Sequence, residues 1–128
     1  MKLLKHLAAP AGRAGLAAIF LASGLNKITA YEATAAYMNG AGVPGWLLPA
    51  VIAFEILAPL AVLIGFYARA AALLLAGFSM LTALLFHFDF ADQIQSIMFL
   101  KNAAIAGGFL MIVSNGPGAF SVSHARGR

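Results

Sequence analysis

The stretch from Gly45 to Arg69, GWLLPAVIAFEILAPLAVLIGFYAR, constrains this chain more than any other. It is long enough to cross a bilayer, which takes about 20 apolar residues, yet it carries a carboxylate, Glu55, near its middle. From a helix start at Trp46, Glu55 lies roughly 13 Å along the axis at about 1.5 Å per residue, near the centre of a ~30 Å hydrocarbon layer. An unpaired charge there costs at least ~2.5 kcal/mol. Pro59, four residues on, has no N–H and leaves the Glu55 carbonyl without its helical partner. Neighbouring helices or water must satisfy both groups. The plainer reading makes Glu55 a structural salt-bridge member and Pro59 a tolerated kink; the functional reading makes the acid part of a site.

The rest of the chain fits a membrane protein. Of its 128 residues 62% are hydrophobic and 9% charged, with a mean hydropathy of +0.93, where a soluble domain carries about 25% charged residues. The absence of cysteine excludes thiol redox chemistry, disulfides and Cys-ligated clusters within the chain. The net charge of +4 does not point to nucleic acid, because the basic residues form no patch with interleaved aromatics.

Taken in order, the sequence predicts an all-α, four-helix integral membrane bundle, one domain over residues 1–128, with spans at about 12–28, 46–66, 69–88 and 96–114. Met1 to Gly12 reads as a short basic leader, Pro10 suits a first helical turn, and Arg13 is expected to snorkel to the headgroups. A cleavable signal peptide is the alternative for this segment. Phe20, Gly24 and Lys27 share one helical face. Thr29 to Pro44 is too polar to span and reads as a short interfacial helix ended by Asn39 and Gly40. Trp46 stands where an aromatic belt residue belongs. In the third span Ala72, Ala76, Ser79 and Ala83 form a small-residue stripe, which His87 continues towards the bundle interior. Asp89 to Gln95 is a polar connection. Lys101 and Asn102 lie inside the fourth span, where Ala103 with Gly107 and Ala104 with Gly108 repeat a four-residue small spacing. The NGPG of Asn115 to Gly118 stops that helix.

Charge sets the expected orientation. Lys2, Lys5, Arg13, Arg69, Arg126 and Arg128 fall on one side of a four-span chain, with Arg13 and Arg69 as basic anchors, so the positive-inside rule places both termini in the cytoplasm. Lys27, His87, Lys101 and Asn102 then join Glu55 in the opposite half. A carboxylate in low dielectric needs a cation or a proton. Lys101 is the expected partner of Glu55, with Lys27 next, and His87 is a candidate proton relay. Each also has a plainer reading, Lys27 as a snorkelling helix-end residue and His87 as a hydrogen-bonded boundary histidine. No metal site is expected: His87, Asp89 and Asp92 lack a second histidine and match no specific spacing.

FLASGLNKI (Phe20 to Ile28), GVPGWLLP (Gly42 to Pro49), Glu55 followed by GFYAR, LLFHF (Leu84 to Phe88), LKNAAIAGGFL (Leu100 to Leu110) and NGPG together resemble the DoxX family of small bacterial membrane proteins. The match covers nearly the whole chain, in order, although no single motif is specific. The resemblance implies a four-helix protein of the bacterial cytoplasmic membrane, with Lys27, Glu55, Arg69, His87, Lys101 and Asn102 as characteristic positions. The family takes its name through relatives described as subunits of thiosulfate:quinone oxidoreductase. One departure is the tail, where Ser121, Val122 and Ser123 stand in place of an acidic residue often found in the family.

Three functions follow as expectations. The first is a redox-associated subunit whose polar layer contacts a quinone or a partner oxidoreductase, since an acid, a histidine and a lysine can hydrogen-bond a quinone carbonyl. The chain encodes no catalytic redox centre of its own. The second is a small proton-coupled transporter or channel working as a homo-oligomer, and the third a membrane scaffold or assembly factor. Dry packing between Glu55, His87 and Lys101 favours the scaffold; an elongated density occupying that space favours a lipid or quinone.

Overall fold

Alanine and leucine dominate the apolar runs, and both are strong helix formers. In lipid a helix also satisfies its own backbone, which makes it the cheapest state for such runs. The computed structural model describes residues 2–122, which fold as α1 (Lys2–Thr29), α2 (Tyr31–Gly40), a 3-10 turn (Gly45–Leu47), α3 (Leu48–Ile64), α4 (Ala68–Phe86) and α5 (Gln93–Asn115). Ser123, Arg126, Arg128 and the side chains of Lys2 and Lys5, which enter the expectations from charge and resemblance, lie outside the described residues. His6–Thr29, Gly45–Ile64, Ala68–Phe86 and Gln93–Asn115 are each long and apolar enough to cross a membrane. The four-span, all-helical architecture read from the sequence therefore holds among the described residues.

Several boundaries differ from expectation for identifiable reasons. The basic leader is not separate from the first span: α1 begins at Lys2 and Pro10 lies inside it rather than in its first turn. Leucines and alanines on both sides of Pro10 favour helix, and the ring removes only one bond, to the carbonyl of His6 near the helix end. The second span closes at Ile64 because Gly65 takes a left-handed conformation, φ 76°, and its N–H returns to the Val62 carbonyl. The fourth span opens at Gln93, earlier than the expected Ser96. Asp92 is its N-cap, with Oδ1 accepting from the N–H groups of Ile94 and Gln95.

α4 is the central element. It lies between α3 and α5, while α1 packs mainly on α3 and only lightly on α5. The predicted stripe explains this position, since Ala72, Ala76, Ser79 and Ala83 are all buried and let neighbours approach closely. The α1–α3 contact rests on Gly24, where an added Cβ would stand 3.0 Å from Ile56 Cγ1 and 3.4 Å from Glu55 Cβ. Phe20, from the same face of α1, reaches into the centre and packs on Phe78 and Phe109 at ring separations of 6.1 and 5.7 Å. Of the small pairs on α5, Gly108 meets Leu16 of α1, whereas Gly107 faces open space.

At the end of the bundle that holds the α3–α4 turn, Arg13 corrects the snorkelling expectation. Its side chain is 1% exposed and donates to the carbonyl of Leu63 at 2.6 Å, of Ala119 at 2.6 Å and of Phe120 at 3.1 Å. Leu63 lies in the last turn of α3, where unsatisfied carbonyls and the helix dipole favour a cation. Arg13 thereby ties α1 to the end of α3 and to the chain after α5. Ser121 packs against Gly65 in the same corner, too closely for a side chain there. Arg69 is exposed at the same end, with its guanidinium beside Gly116.

Candidate functional site: a cavity between the helices

The opposite half of the bundle is less tightly filled. A cavity of about 560 Å³ opens between α1, α3, α4 and α5, with α2 along one side. That size falls within the range of small-molecule sites. Its walls are largely apolar, from Phe20, Phe78, Leu81, Leu85 and Ile105, and Tyr37 stacks on Phe86 along α2 at a ring separation of 5.5 Å.

Glu55 forms part of the wall and is 3% exposed. Its partner is Lys27, not the expected Lys101. Lys27 Nζ lies 3.0 Å from Glu55 Oε2 and donates to Oε1 at 3.1 Å. The same ammonium donates to Ser23 Oγ at 2.6 Å, and that hydroxyl donates to Glu55 Oε2 at 3.3 Å. The reason is helix order. Gly24 brings α1 against α3, so Lys27, one turn beyond it, stands over Glu55, whereas Lys101 on α5 is separated from α3 by α4 and the cavity. The three-membered network joins Lys27 to Ser23 and to both carboxylate oxygens of Glu55, and so pairs the buried charge that made the second span anomalous.

The facing wall carries Asn102, Thr82 and Ser79. Asn102 Nδ2 donates to the Ser79 carbonyl at 3.2 Å and to Thr82 Oγ1 at 3.1 Å, which in turn donates to the Ser79 carbonyl at 3.1 Å. These bonds clamp α5 to α4. Ser79 itself is 1% exposed, and its Oγ has no hydrogen-bond partner among the described residues. Lys101 also lines the cavity. His87 caps α4 at the rim, its N–H on the Ala83 carbonyl and its Nδ1 2.7 Å from Gln95 Oε1. The ring therefore bridges α4 to the first turn of α5, as a boundary histidine does, rather than reaching Glu55.

All five predicted polar residues, Glu55, Lys27, Lys101, Asn102 and His87, thus line one space. The sequence reading missed Ser23, Thr82 and the role of the Ser79 hydroxyl. Ser23 had a visible signal, lying four residues before Lys27 on the same helical face. Among the described residues no group of His, Asp and Glu is placed to hold a metal ion.

The comparisons with known proteins agree with this picture. The DoxX family model matches residues 8–88. Inner membrane protein YqjF of Escherichia coli is 46% identical over 95% of this chain and 94% of its own length. Inner membrane protein YphA of the same organism is 35% identical over 86% of this chain and 84% of its own length. No solved structure matches the chain. With the family model spanning well over half of the chain and a relative 46% identical along nearly its full length, the chain belongs to the DoxX family and is a multi-pass membrane protein.

Proposed function

We propose that this protein is a redox-associated subunit of the bacterial inner membrane that holds the ring of a quinone in its cavity, beside a partner oxidoreductase. The observation that carries the reading is the cavity of about 560 Å³ between Glu55, His87 and Lys101, where a pure scaffold calls for dry packing. Apolar and aromatic walls suit a lipid-soluble ring, and the Lys101 ammonium supplies a donor for a carbonyl oxygen. Inner-membrane placement follows the names of both relatives, and the basic end is assigned to the cytoplasm by the positive-inside rule. The transporter reading is weaker, because Lys27 and Ser23 already occupy Glu55 and compete with a cationic substrate for it.

The test is purification from membranes with extraction of the bound lipids, followed by thermal melting with a short-chain quinone. Co-extracted quinone and a rise in Tm that saturates with quinone concentration are expected. A lipid-only extract together with an unmoved Tm overturns the reading.

A further inference from the structure

The cavity holds an imbalance of charge. Lys27 and Glu55 neutralise each other, and Glu55 is the one acidic residue on the wall. Lys101 is also on the wall, is itself exposed, and has no hydrogen-bond or ion-pair partner among the described residues. It stands about 12 Å along α5 from Gln93, at about 1.5 Å per residue. A lysine so far inside a span faces a desolvation cost unless it snorkels to the headgroups or meets an anion or water.

Nor do the described residues supply the missing anion. The chain contains four acidic residues in all. Glu32 is exposed in the first turn of α2, and Glu55 is engaged by Lys27 and Ser23. Asp89 and Asp92 are exposed in the loop before α5, with carboxylates accepting from the N–H groups of Ala91, Ile94 and Gln95.

We infer that the cavity selects an acidic ligand, a lipid-soluble ring carrying one anionic oxygen that pairs with Lys101. The inference rests on the reading that the cavity binds a ring compound, and it narrows that reading to the charged members of the class. Lys27, although on the wall, is already engaged by Ser23 and Glu55. Lys101 is then the residue that sets specificity.

A matched pair of probes tests this. 2-Hydroxy-1,4-naphthoquinone is an acid ionised at neutral pH, and 2-methoxy-1,4-naphthoquinone is its neutral analogue of nearly the same shape. Calorimetric titration of the full chain in nanodiscs of phosphatidylcholine is expected to show the anion binding about tenfold more tightly, a Coulombic gain reduced by the desolvation of both ions. The preference is expected to fall to about one in Lys101→Met and to persist in Lys101→Arg. Equal affinity for the two probes in the unaltered protein overturns the inference and leaves ring binding standing, as does a preference that Lys101→Met does not change. Failure of both probes to bind overturns the inference and the quinone reading together. The unaltered protein's preference needs no variant, and Lys101→Gln replaces Lys101→Met if the latter does not fold. Repeating the titration with phosphatidylglycerol in the disc separates the sources of the anion: unchanged affinity supports a small acid, whereas loss of binding through competition assigns the charge to a lipid headgroup and overturns the acidic-ring proposal.

Discussion

Glu55 and Lys27 belong to different helices, and each is tolerable at its depth only because the other is present. Removing a single member of a buried pair leaves a desolvated charge behind and typically costs about 3 to 5 kcal/mol. Lys27 retains some exposure, which places the expected cost of Lys27→Met or Glu55→Gln near the lower end of that range. The double variant should lose much less than the sum of the two. Lys101 supplies the control, because it has no contact with Glu55: Glu55→Gln and Lys101→Met should add. Both cycles can be read from thermal unfolding in one detergent, and coupling of Glu55 to Lys101 instead of Lys27 would contradict the geometry.

At the scale of the helix, Gly24 is what places Lys27 over Glu55. An added Cβ there is already tight against Ile56, so Gly24→Val must push α1 away from α3. Overpacking of this kind costs about 1 to 3 kcal/mol. The larger consequence is functional geometry. The Glu55–Lys27 coupling measured by the same double-variant cycle should shrink in a Gly24→Val background, whereas Gly107→Val, at a position facing open space, should leave it unchanged. The sequence displayed these elements well because apolar runs longer than a span, a stripe such as Ala72, Ala76, Ser79 and Ala83, and a stop such as NGPG are local signals. Boundaries were less legible. Asp92 acts as a cap through its side chain, and its distance from Gln95 was the sign that α5 begins before Ser96.

For the whole molecule, legibility stops at helix order. Depth alone collected Glu55, Lys27, Lys101, Asn102 and His87 into one layer, because position along each span is readable from sequence. Which of them touch depends on which helices are neighbours, and no one-dimensional pattern reveals that α4 separates Lys101 from Glu55. Arg13 was misread for the same reason, since its carbonyl partners on α3 and in the tail are remote in sequence. These contacts nevertheless fix one global property. Arg13, the α3–α4 turn and the residues after α5 lie at the same end of the bundle, so a single orientation governs them all. That end also carries Arg69, and the positive-inside rule predicts that it faces the cytoplasm. The chain has no cysteine, so any introduced thiol is a clean reporter. Ala91 and Phe66 are both exposed, at opposite ends of the bundle. In intact spheroplasts a membrane-impermeant maleimide should label Ala91→Cys at once and Phe66→Cys only after lysis. Labelling in the reverse order would invert the molecule, turn the mouth of the cavity to the cytoplasm and move any partner oxidoreductase at that mouth to the inner face.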